Sequence, residues 1–206
     1  MVALGELLFT VVVVSSSGVL YPGPLFFATL THGAESGALV GLKISLGHMA
    51  VEFPLVLLLF FGLGSLFTDD WVTSLIGLVG GAVLVLFGAV QVYGTLKGPS
   101  FEAGRAPFGP PVLLGVSLTA LNPYFILWWL TVGGKLIADA AIYAALAGVV
   151  LMYASHIWMD YAWLAFTAYS AKKGRSFLNA ATYRALLLGL GVLLVGFGFQ
   201  FILSAL

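Results

Sequence analysis

The sequence predicts an all-α, polytopic membrane protein of six transmembrane helices, arranged as two inverted three-helix repeats. Three observations predict it: a near absence of charge, six long apolar runs, and the recurrence of polar motifs in the same order in each half. Of the 206 residues, 61% are hydrophobic and only 8% are Asp, Glu, Lys or Arg. A soluble domain carries about 25% charged residues, so lipid must solvate most of this chain. The mean hydropathy of +1.11 agrees. The 26 glycines suit membrane helices, whose backbones approach closely.

A span needs roughly 20 apolar residues. The six runs extend from about Leu4 to Leu30, Gly37 to Phe67, Trp71 to Leu96, Pro111 to Val132, Asp139 to Ser170 and Tyr183 to Leu206. No Lys or Arg precedes Lys43, so the first run lacks the basic flank of a signal peptide and reads as a retained helix. The whole chain, 1–206, reads as one transmembrane domain. Residues 1–97 form a first repeat, the Pro- and Gly-rich stretch 98–110 a linker, and 111–206 a second repeat. Loops on one side collect Lys43, Lys97, Arg105, Lys172, Lys173, Arg175 and Arg184, and the other side only Lys135. That bias predicts a multi-pass protein of the cell membrane with both termini outside.

Gly47-His48-x-x-x-Glu52-Phe53 in the second run matches Ser155-His156-x-x-x-Asp160-Tyr161 in the fifth. Gly81 and Gly88 match Gly191 and Gly198, and Pro24-Leu25-Phe26 matches Pro123-Tyr124-Phe125. Three spans are an odd number, so the second half enters the membrane upside down. Inverted repeats with substrate at the midplane are a transporter architecture.

Tyr21-Pro22-Gly23-Pro24 should unwind the first run, with Pro24 restarting the helix. Leu121-Asn122-Pro123 should do the same in the fourth, with Asn122 as cap. Each break leaves a half-helix N-terminus inside the membrane, suited to a carboxylate. A plain proline kink is the competing reading. His48 with Glu52, and His156 with Asp160, lie four apart on one helix face. Ionisable residues at that depth face the bundle interior and serve ions, protons or substrate; a structural lock between the two helices is the alternative. Pro54 should kink the second span. Gly33, Gly37 and Gly41 make a close-packing face, and Gln91 and Gln200 read as structural. Trp71, Tyr93, Trp163 and Tyr169 read as interfacial anchors, Trp128 and Trp129 as bulk with one of them a candidate cavity wall, and His32 as a loop residue.

Tyr21-Pro22-Gly23-Pro24, the spaced glycines Gly33, Gly37, Gly41 and Gly47, and Leu121-Asn122-Pro123 with Trp128 resemble the lysine-exporter (LysE-type) superfamily of amino-acid translocators. The resemblance covers nearly the whole chain. It implies export of amino acids or related small metabolites, driven by protons or the membrane potential. Pro22, Gly23, Pro24, Asn122 and Pro123 match the family's motif residues. Tyr124 stands where many members carry a basic residue, and the two His–acid pairs are not a general family pattern.

The leading expectation is thus a proton-coupled exporter and not an enzyme. Its substrate-binding residues would be Pro22, Gly23, Pro24, Glu52, Asn122, Pro123 and Asp160, with His48, Glu52, His156 and Asp160 coupling protons. The alternatives are a divalent-metal exporter using those last four residues as ligands, or a non-transporting membrane scaffold. Expected partners are an amino acid, protons and lipid, with room for a homodimer. No cofactor is expected, and zero net charge speaks against nucleic acid. Zero cysteines exclude thiol redox chemistry and thiolate metal sites.

Overall fold

The structure, a computed structural model, describes residues 4–64, 69–97 and 109–206. Helices α1 (Leu4–Val19), α2 (Pro24–Ser36), α3 (Ala38–Phe60) and α4 (Asp70–Lys97) precede the linker. After it come α5 (Pro111–Ala120), α6 (Pro123–Trp128), a π turn (Trp129–Gly133), α7 (Gly134–Arg175) and α8 (Ala180–Ala205). Most of the expected linker, 98–108, lies outside the described residues, as do 65–68 at the end of the second run.

The break in the first run is real: α1 and α2 meet at a 74° bend. Pro24 opens α2, where its missing N–H costs no helical bond. The helix then runs on to Ser36, beyond the Leu30 end expected. His32 is therefore helical and buried, not a loop residue. Gly37 ends α2 with φ +76, a conformation that favours glycine, and α3 starts at once. Pro54 sits inside α3, which stays helical to Phe60.

The second half departs further from expectation. Residues 133–138, expected as a loop, are helical. The two glycines there are absorbed by the π turn and the start of α7. Lys135 and Asp139 pair one turn apart on the exposed face. The backbone leaves the helix later, at Ala144 (φ −153, ψ 36) and Ala145 (φ 48, ψ −133). A Cβ on Gly148 would press against the Ala140 carbonyl. Eight residues span ~12 Å in a straight helix, so the chain doubles back at Ala144–Ala145. By length and apolarity, four helical stretches among the described residues can cross a membrane, or five if the bent pair α1–α2 counts as one. The six spans expected are not recovered by that test, chiefly because the fourth and fifth runs join in one helical stretch, Pro123–Arg175.

Helix α4 packs along α8, while α3 lies against both α7 and α5, and α2 against α7. The α4–α8 crossing is reciprocal. A Cβ on Gly81 would stand 2.6 Å from the Gly198 carbonyl oxygen, and one on Gly198 would stand 2.6 Å from that of Gly81. Gly33 and Gly41 bring their backbones against Ala168 and Leu164–Ala165 of α7, so the small-residue face does pack closely, interrupted by the turn at Gly37. Polar groups go inward: Glu52, His48, His156 and Asp160 are buried, while Phe9, Ile142 and Leu203 are exposed. An apolar exterior around buried acids suits lipid as solvent. The chain is a multi-pass, all-helical membrane protein.

Candidate functional site

The two breaks and the two His–acid pairs converge on one cavity of about 320 Å³. Gly23 and Asn122 line it, as do His48, Glu52, His156 and Asp160. Pro22, Pro24 and Pro123 shape the breaks without lining the cavity. The other walls are mainly aromatic, including Phe26, Phe125, Trp128, Trp129 and Trp163. Trp163 is thus a wall of the cavity and not an interfacial anchor; Trp128 and Trp129 line it too. Trp71, Tyr93 and Tyr169 are exposed, as anchors would be.

Glu52 of α3 is the hub. Its Oε1 accepts from His48 Nε2 at 3.0 Å, Trp129 Nε1 at 3.1 Å and His156 Nε2 at 3.2 Å. Its Oε2 accepts from the Tyr153 hydroxyl at 3.1 Å. Only 1% of the residue is exposed, so these four donors replace the water that the carboxylate has lost. One tautomer suits His48: Nε2–H donates to Glu52 while Nδ1 accepts from Thr119 Oγ1 at 2.9 Å.

Asp160, one turn beyond His156, is differently placed. Its Oδ1 lies 3.6 Å from His48 Nε2 and its Oδ2 lies 3.2 Å from His156 Nε2. Yet Oδ2 is buried without a hydrogen-bond partner, as is His156 Nδ1. The site therefore holds one carboxylate with four hydrogen-bond donors and one whose buried Oδ2 has only the ion-pair contact of His156.

The two half-helix N-termini also differ. At Asn122 the side chain accepts from the Tyr124 and Phe125 amides at 3.1 and 3.4 Å, so the cap occupies the groups expected to face an anion. At Gly23 no side chain caps α2, and Leu25 and Phe26 line the cavity. The amides of that first turn are the ones left for a carboxylate.

Sequence reasoning missed Tyr153 and the bond from Trp129 to Glu52, although it allowed one of Trp128 and Trp129 to line a cavity. Trp129 reaches Glu52 because Gly133, one turn on, leaves room: a Cβ there would collide with the indole. A Trp followed by Gly four residues later was the available signal. Tyr153 lies three and seven residues before His156 and Asp160, on the same helix face. Gln91 donates to the Leu187 carbonyl at 2.8 Å, and Gln200 donates at 2.8 Å to the hydroxyl of Tyr124, a residue of the cavity wall.

No solved structure matches the chain. It is 27% identical over 183 residues, 87% of each chain, to the "Putative amino acid efflux protein YcgF" of Bacillus subtilis (strain 168). The family model described as LysE type translocator matches residues 16–205. That match takes in both breaks, both His–acid pairs and the α4–α8 crossing, and the chain belongs to the LysE type translocator family.

Proposed function

We propose that this protein exports amino acids or related small metabolites across the cell membrane in exchange for protons. The observation that carries the reading is the meeting of both backbone breaks with two buried carboxylates and two imidazoles in one cavity. Its volume, about 320 Å³, falls in the range of small-molecule sites. The name of the Bacillus subtilis relative, an amino acid efflux protein, points the same way.

The substrate carboxylate would approach the uncapped turn at Gly23, and its ammonium the Asp160 carboxylate that lines the cavity. Glu52, His48 and His156 would relay the proton. The reversal at Ala144–Ala145 would divide Pro123–Arg175 into two crossings, the first of them begun by α5; with the bent pair, α3, α4 and α8 they would make six. Gly37 and Ala145, both at positive φ, each lie eleven residues before a cavity histidine. That correspondence and the reciprocal glycines of α4 and α8 support two inverted halves that rock about the cavity. The basic loops would face the cytoplasm and the ends of the chain the outside.

The test is efflux from proteoliposomes loaded with labelled amino acids. Acidifying the receiving side should speed efflux; efflux of no amino acid above empty liposomes contradicts the reading.

A second reading has one observation in its favour. His48, Glu52 and Asp160 each offer a ligand atom, all within 4.8 Å of one another; His156 falls outside that group, although its Nε2 lies 3.2 Å from Glu52 Oε1. A divalent cation could be the substrate there. It would first have to displace the N–H groups that both histidines turn toward Glu52. Metal-stimulated proton release from liposomes, with no amino-acid flux, would establish it instead.

A further inference from the structure

Resting on the amino-acid reading above, we propose that the substrate carries an aromatic side chain, held against the Phe26–Trp163 wall. Phe26 and Trp163 stack with ring centroids 5.8 Å apart and planes within 13°. Both rings line the cavity, and Trp163 packs further on Phe166. This wall is tied to both ends of a zwitterion. Phe26 belongs to the uncapped first turn of α2, whose amides suit a carboxylate. Trp163 follows Asp160 by three residues, on one face of α7, and Asp160 Oδ2 is a buried acceptor without a hydrogen-bond partner. An amino acid with its carboxylate at the first group and its ammonium at the second would have the stacked pair beside its α-carbon.

The remaining surfaces favour the same class. Phe125 and Trp128 add further ring faces, and among the described residues no Lys or Arg lines the cavity to receive a second carboxylate. Glu52 already accepts from four donors, so it offers little to a second ammonium. A site with planar, quadrupolar walls gains most from a planar ring, which can stack on one face and meet another edge-on.

The experiment is counterflow in proteoliposomes with phenylalanine, tryptophan, leucine, threonine, lysine and aspartate. The expected result is exchange of phenylalanine or tryptophan at least about tenfold above leucine, threonine and lysine. Exchange of any of the other four with the aromatic pair at background overturns this inference and leaves the exporter reading standing. No exchange of any amino acid overturns both. Trp163→Ala should lower phenylalanine exchange about tenfold, and Trp163→Phe should retain most of it. Unchanged phenylalanine exchange in a folded Trp163→Ala protein rejects the wall as the subsite. If that variant fails to fold, Phe26→Leu supplies the same comparison from the other ring.

Discussion

Glu52 on α3 and His156 on α7 meet at 3.2 Å across 104 positions of sequence. The contact joins the His–acid pair of α3 to that of α7. It makes the four ionisable groups one network, so a change at any member is felt by the rest.

The Glu52 carboxylate depends on donors from Trp129 and Tyr153 as well as the histidines. Trp129→Phe and Tyr153→Phe each remove one donor and keep the ring. Each should lower stability by about 1.5–3 kcal/mol, since hydrogen bonds to a charged group are the stronger kind. Unfolding in mixed micelles reads the loss, and a double variant that costs much less than the sum would reveal the coupling.

Trp129 itself is seated by Gly133. Gly133→Ala drives a methyl into the indole, whereas a Cβ on neighbouring Gly134 makes only ordinary contact at 3.4 Å. Gly133→Ala should destabilise by about 1–3 kcal/mol and slow transport, and Gly134→Ala should do neither. Equal behaviour of the two variants in thermal denaturation and flux would remove the π turn from the account.

At the α4–α8 crossing, Gly198→Ala places a Cβ 2.6 Å from the Gly81 oxygen, while Gly196→Ala meets nothing within 4 Å. The first should cost about 1–3 kcal/mol and the second almost nothing. Measuring both by detergent unfolding separates close packing from composition.

Ala145 sits at φ 48, where a β-carbon is strained. Ala145→Gly should stabilise the protein by about 1 kcal/mol, and Ala145→Val should destabilise it. A higher melting temperature for the valine variant would contradict a reversal at this residue.

The parts of this structure that were legible in sequence are those with local chemistry. Pro24 and Asn122-Pro123 announced the breaks because a proline without an N–H can open a helix but not continue one. His48–Glu52 and His156–Asp160 announced shared faces through their spacing of four. The reversal at Ala144–Ala145 carried no such mark: neither Gly nor Pro occupies it, and the Gly133-Gly134 pair drew the boundary to the wrong place. His32 read as a loop residue because its polar neighbours suggested a gap, yet packing against α7 keeps α2 helical there. Trp163 reads as an interfacial anchor and Trp129 as bulk because a tryptophan's place in the sequence does not show which way it faces; the tertiary fold turns both to the cavity.

The most direct measurement is efflux of a labelled amino acid from proteoliposomes under an inward proton gradient, for the natural protein and for Glu52→Gln. Glutamine keeps the size of the side chain and removes the charge that four donors surround. Gradient-driven efflux is expected in the natural protein, with a loss of at least about tenfold in a variant that still elutes as a folded species. Equal, gradient-dependent efflux from both would contradict it.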